Sequence, residues 1–275
     1  MYWLVSYLLV LVALQLLFGN VDARLAAFPV GLALGVAFTA LLFVLEKEYG
    51  RQAWLVSLRS PRTAGLLLGG VAAGCVVAGS VPQASGLTTS WPFVGLLVAL
   101  LANLALGVFH RLHTFRLRRD AAFLAVHLGI WLALFGGMAG AGDKKEMRVL
   151  LVRGTEVDKA YDAGGHLVPL RYKLRLDAFE VERNPADGSP AQYTAALRID
   201  GEPCRLAVNS PFAVAPGEDV YLMDYDRKSG DAEVAYCVLQ IVRQPWKYVV
   251  LSGIVLLLAG MPLTLTAKRK GGCAG

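Results

Sequence analysis

The chain of 275 residues is 56% hydrophobic and only 17% charged, against about a quarter charged in an ordinary soluble domain, so a large part of it is excluded from facing water. Its net charge is +6, but no RNA- or DNA-binding module is visible, and in a membrane chain basic excess collects in cytoplasmic loops. Cys75, Cys204, Cys237 and Cys273 form no C-x-x-C pair and no C-x-x-C-H, which argues against a thioredoxin-like centre, a zinc ribbon or a c-type haem attachment site.

A helix needs about 20 apolar residues to cross a bilayer core, and six stretches qualify: 2–19, 27–45, 64–80, 92–109, 120–140 and 248–266. The first lacks a basic start and a small-residue cleavage site, and reads as a retained helix rather than a cleaved signal. Gly31 and Gly35, Gly65 and Gly69, Gly70 and Gly74, and Gly136 and Gly140 each stand four apart, a spacing that lets helix backbones approach. Residues 46–58, with Tyr49, Trp54, Leu55 and Leu58 among charges, read as an interfacial helix.

Loop charge sets the expected orientation. Lys47, Arg51, Arg59 and Arg62 lie in one loop, Arg111, Arg116, Arg118 and Arg119 in another, and Lys268, Arg269 and Lys270 in the tail, whereas 81–91 carries no charge. Alternation then puts both termini in the cytoplasm and 141–247 on the periplasmic, extracytoplasmic side of a bacterial inner membrane. Trp91, Trp246 and Tyr248 fall at the outer aromatic belt.

Residues 141–247 are a different material. Val168, Leu170, Tyr172, Leu174 and Leu176 alternate with charged residues through Asp177, the period of a half-buried strand. Tyr193 to Ile199 alternates again, Asp200-Gly201 supplies a hairpin turn, and Cys204, Leu206 and Val208 return. A later pair, Val220 to Tyr225 and Val234 to Val242, is joined by a polar turn from Arg227 to Asp231. The expected fold is a membrane α-helical bundle of about six transmembrane helices with one extracytoplasmic all-β domain, sandwich- or barrel-like. Its parts are two N-terminal helices (1–46), a three-helix region (47–140), the β domain (141–247) and a closing helix with a basic tail (248–275).

His127 sits about two turns inside a span that begins near Asp120. An ionisable side chain there is a candidate site, since lipid offers its nitrogens no partner. Two readings stand: a haem axial ligand or proton relay, and a neutral imidazole bonded to a backbone or hydroxyl group of the bundle. His110 and His113, three apart at the inner end of the fourth span, share a face if the helix continues, and read as weaker haem or metal candidates or as solvated interfacial residues. His166 reads as a loop residue. Cys204 and Cys237, both on predicted strands in an oxidising compartment, are candidates for one disulfide, although nothing in the sequence brings their Cα atoms into range. No Ser-His-Asp order, membrane carboxylate pair or phosphate-binding glycine loop can be made out, so neither a catalytic residue nor a metal centre is assigned.

Four stretches together resemble the ResB (CcsB) family of System II cytochrome c biogenesis proteins: RRDAAFLAVHLGIWLALFGGM at 118–138, LRYKLRLDAFEVER at 170–183, LAVNSPFAV at 206–214 and YCVLQIVRQPWKYVVLSGIVLLLAGMPLTL at 236–265. The resemblance spans roughly residues 57–267 in the family's order. It implies a subunit that binds or exports haem b and presents it for attachment to apocytochrome c. The implied partners are a CcsA/CcmC-like membrane haem-handling protein, apocytochrome c and a thioredoxin-like thiol reductant, with no nucleic acid. His127 matches the family's membrane histidine and is implied as an axial ligand. The chain lacks the tryptophan-rich signature of the CcsA partner, so it is at most an accessory subunit of a haem lyase. The first two helices have no counterpart in the resemblance. The competing readings are a haem-free membrane scaffold for envelope proteins and a transporter accessory subunit.

Overall fold

The structure, a computed structural model, describes residues 2–84, 86–226 and 234–271, and the side chains within these except at 2, 3, 117–119 and 265–271. It divides into a helical unit, Met1–Gly142 with Trp246–Gly275, and a β unit, Asp143–Pro245.

The helical unit comprises α1 (Tyr2–Phe18), α2 (Val30–Tyr49), α3 (Ala53–Leu58), α4 (Pro61–Ser80), α5 (Trp91–Leu112), α6 (Leu117–Gly140) and α7 (Lys247–Gly271). Among the described residues five of them, α2 and α4 to α7, are long and apolar enough to cross a membrane, and α1 is a shorter apolar helix. The starts of α4 and α5 follow from local chemistry. Ser60 and Ser90 accept the backbone N–H of Thr63 and Phe93 at 3.2 and 3.3 Å, and proline follows within the first turn of each, where its missing N–H costs nothing. Helix α5 is the centre of the unit. It packs against α1, α2, α4 and α6, and buries Leu100, Leu101, Leu104 and Leu106. Most apolar side chains of the other spans stay exposed, among them Leu34, Val36, Leu66, Leu68, Val255 and Leu258, the pattern of helices solvated by lipid.

The segment 46–58 is not one interfacial helix. Residues 46–49 finish α2, and the six-residue α3 buries Leu55 completely. Loops at one end of the unit are stitched by Val21 N–H to the Thr89 carbonyl at 2.8 Å and Trp91 N–H to Gln15 Oε1 at 2.9 Å. The opposite end holds the loop after α2, the start of α4 and the end of α5. There Asn103 Nδ2 donates to the Ser60 carbonyl at 3.3 Å and to the Leu58 carbonyl.

Glycine spacing is realised unevenly. Gly74 faces Phe93, Gly35 faces Phe135, and Gly136 and Gly140 receive Val249 and Trp246. Gly65 and Gly69 face open space, so their four-residue spacing serves no contact. Helices α6 and α7 meet backbone to backbone. A Cβ on Gly253 would lie 2.6 Å from the Ala133 nitrogen and the Gly129 oxygen, and one on Gly129 would lie 2.6 Å from the Leu257 nitrogen.

The β unit is one eight-stranded antiparallel sheet ordered β5-β4-β3-β2-β1-β8-β7-β6, with β1 (Lys145–Val152), β2 (Glu156–Asp162), β3 (Leu167–Arg183), β4 (Pro190–Ile199), β5 (Glu202–Ala207), β6 (Phe212–Ala215), β7 (Glu218–Tyr225) and β8 (Tyr236–Arg243). The period-two residues face inward as expected: Leu174 and Leu176 on β3, Leu197 on β4 and Leu206 on β5 join Val149, Leu151, Leu239 and Ile241 in one core. Asp200 and Gly201 both take positive φ, 50° and 88°, which makes the two-residue β4–β5 turn. The sheet curls over on itself. Tyr225 of β7 lies between Phe179 of β3 and Tyr193 of β4, at ring-centroid distances of 4.8 and 5.0 Å, although these strands are not neighbours in the ladder. The Arg227–Asp231 turn lies outside the described residues.

Inside this core the Tyr172 hydroxyl donates to Glu218 at 2.7 Å. Burial, and then the adjacent Glu218 carboxylate, push the Tyr172 hydroxyl well above its ordinary range, so it remains a donor at any physiological pH.

Candidate functional site

His127 is half-buried on α6, and its Nδ1 lies 2.9 Å from the Phe123 carbonyl one turn earlier. A carbonyl only accepts, so Nδ1 carries the proton. In the neutral ring the lone pair is then on Nε2, which has no protein partner among the described residues. The imidazole stacks on Phe123 with centroids 3.8 Å apart and planes inclined by 29°. Phe123, His127, Trp131 and Phe135 stand four apart and form a stripe along one face of α6. Trp131 stacks on Phe135 at 4.9 Å, and Phe135 meets Trp246 edge-on at 5.9 Å. The Trp131 indole N–H is buried and has no acceptor among the described residues.

The start of α6 is fixed by Asp120, which is fully buried. It accepts from Arg111 Nε and from the Arg116 backbone N–H, both at 2.8 Å. Arg111 also lies over the Phe123 ring at 5.5 Å, which ties the end of α5 to the ring that holds His127. A negative charge in the first turn of a helix also suits its dipole.

Among the described residues neither His110 nor His113 contacts His127. They line a cavity of about 790 Å³, partly open to the outside, together with Glu46, Lys47, Arg51 and Arg59. Glu46 Oε1 takes the Arg59 guanidinium and lies 2.9 Å from His110 Nδ1. Sequence reasoning missed Glu46. Its signal was an acidic residue within a turn of the end of an apolar run, a place where only a partnered carboxylate is stable. Among the described residues no group of three or more His, Cys, Asp or Glu is arranged to hold a metal ion.

Cys204 and Cys237, the candidate disulfide pair, are both free thiols in this structure. Cys204 on β5 stands opposite Leu197 of β4, while Cys237 on β8 stands opposite Leu151 and Tyr225, so the sheet register pairs each with other residues. Burial pushes the Cys237 thiol up to about 12 and also raises Cys204, which leaves both in the unreactive form. Cys75 is free on α4, and Cys273 lies outside the described residues. His166 ends the turn between β2 and β3, its backbone N–H donating to Asp162 Oδ1 at 2.9 Å. That bond, with a second from Gly164, holds the Asp162 carboxyl below its ordinary range. The turn is structural.

Comparison with curated proteins finds no match. Among solved structures, Cytochrome c Heme Lyase CcmF is similar at 17% identity and a TM-score of 0.39, over 85% of this chain and 45% of that one. The chain thus spans less than half of that protein's length, and similarity of this size does not define a shared fold. Residues 116–236 match the ResB-like family, a stretch that runs from the residue before α6, through His127 and strands β1 to β7, to the first residue of β8. Over that segment, somewhat less than half of its length, the chain is similar to the ResB-like family.

Proposed function

We propose that this chain works in cytochrome c biogenesis as a haem-handling membrane subunit, with His127 as an axial ligand to haem b. The observation that carries the reading is the His127 hydrogen bond to the Phe123 carbonyl. It selects the tautomer with a free Nε2 lone pair and orients the ring, the arrangement that ligating histidines take when a backbone carbonyl holds their other nitrogen. The surroundings fit the group. The stripe of Phe123, Trp131 and Phe135 is apolar and aromatic, and the buried Trp131 N–H is a donor in need of an acceptor. Bound haem would supply the vinyl groups that become thioether links. The chain's own residues would bind iron through Nε2, hold the imidazole plane by the Phe123 stack and exclude water.

A second ligand to the iron would come from a partner, a CcsA/CcmC-like haem-handling membrane protein. Apocytochrome c is the acceptor, and its cysteines have to be thiols, which calls for a thioredoxin-like reductant. Orientation of haem and thiol would be the main contribution to rate. In this reading the β unit lies on the extracytoplasmic side and both termini on the cytoplasmic side.

The test is the haem content of the purified chain, alone and with its partner, from the absorption of the reduced pyridine complex. About one haem per chain-and-partner complex is expected on one-ligand-per-subunit stoichiometry. A haem-free complex would leave the scaffold reading in its place.

A further inference from the structure

Glu46 has a use that haem binding leaves unexplained. Its side chain is 1% exposed, yet it stands in the wall of the cavity at the α2–α3–α5 end. Oε1 is taken by Arg59 and His110, while the buried Oε2 has no partner among the described residues. A buried carboxylate oxygen without a donor is costly, so an occupant of the cavity that brings an N–H or O–H would be held there. The other walls ask for the opposite charge. Lys47, Arg51, Arg59 and His113 line the same space against Glu48 as the second acidic residue, a set that suits a phosphate group.

The level of the cavity in the helical unit narrows the source. It lies where α2 ends, α4 begins and α5 ends, three helices able to cross a membrane. Immediately before it on α2, Leu41, Phe43 and Val44 are exposed, and beside it Tyr49 and Trp54 are exposed. Apolar side chains followed by amphipathic aromatics and cations mark the boundary between acyl chains and headgroups.

We propose that this cavity binds the headgroup of a phospholipid that carries a hydrogen-bond donor beside its phosphate, of the phosphoethanolamine or phosphoglycerol kind. The donor group meets Glu46 Oε2, the phosphate meets Lys47 and Arg51, and the acyl chains lie along the exposed apolar face of α2. A phosphocholine headgroup has no donor for Glu46 and is discriminated against. The proposal is independent of haem binding.

Native mass spectrometry of the full chain in detergent tests it, with equimolar ethanolamine, glycerol and choline phospholipids of identical acyl chains. Ethanolamine and glycerol adducts are expected at about tenfold the choline adduct, the worth of one charge-assisted hydrogen bond. Glu46→Gln should remove that preference. Lys47→Ala/Arg51→Ala, at two exposed positions, should lower all three adducts with the fold intact by circular dichroism. Equal adducts for the three lipids would overturn the proposal, as would wild-type binding in the Lys47/Arg51 variant. Displacement of the lipid by millimolar inorganic phosphate, itself retained, would make this a free-phosphate site and overturn it too.

Discussion

Replacing Arg59 by alanine is expected to destabilise the helical unit by about 3 kcal/mol, the usual cost of removing one partner of a buried ion pair. The Arg59 and Glu46 side chains are 15% and 1% exposed, so the screening that makes surface pairs weak does not apply. Without the guanidinium, the Glu46 carboxylate would keep only His110, whose side chain is 57% exposed. The loss should come from the stranded charge and not from a missing attraction. Arg59→Ala/Glu46→Leu should therefore recover most of it, because apolar replacement of a whole buried pair is often neutral. Thermal unfolding of the purified protein in detergent reads both. A single variant as stable as wild type, or a double variant no better than the single, would contradict the burial of this pair.

A larger effect is expected from Gly253→Leu. The α6–α7 contact is backbone against backbone, and a Cβ at Gly253 would already fall 2.6 Å from the Ala133 nitrogen. No side-chain rotation relieves a clash with main chain, so the helices would have to part. Because small residues are what allow close approach in lipid, the variant should fail to give a monodisperse protein on size-exclusion chromatography. Gly69→Leu is the control, with nothing within 4 Å of its Cβ. It should behave as wild type or gain slightly, by roughly 0.5–1 kcal/mol of helix propensity. Equal behaviour of the two variants would show that α6 and α7 are not in close contact.

These two cases also mark what a sequence does and does not disclose. The Gly spacing is visible, but which glycines meet a neighbour depends on the rotation of each helix, so Gly65 and Gly69 look no different from Gly136 and Gly140. Strand β3 was legible because its inward Tyr172, Leu174 and Leu176 alternate with charges, and the β4–β5 turn because Asp-Gly suits positive φ. Strand β1 was hidden: its outward positions include Leu150 and Val152, 51% and 47% exposed, and these blur the period of two. In β2 only Ala160 is buried and Val157 partly so, too few apolar positions to set a period.

The site divides in the same way. The depth of His127 in a span is a matter of counting residues, whereas its bond to Phe123 depends on a rotamer. His110 and His113 were visible as histidines at a helix end, but Glu46, which holds His110 and Arg59, is set by the meeting of α2, α3 and α5. Whether Cys204 and Cys237 could pair stayed open in the sequence, because strand identity is readable there and strand order is not.

Reduced-minus-oxidised absorption of His127→Gly, purified with its partner and with or without added imidazole, bears most directly on His127 as a haem ligand. The expected result is loss of the haem bands in the variant and their return when imidazole fills the space left by the side chain. Haem bands in His127→Gly identical to wild type, without imidazole, would contradict ligation by His127.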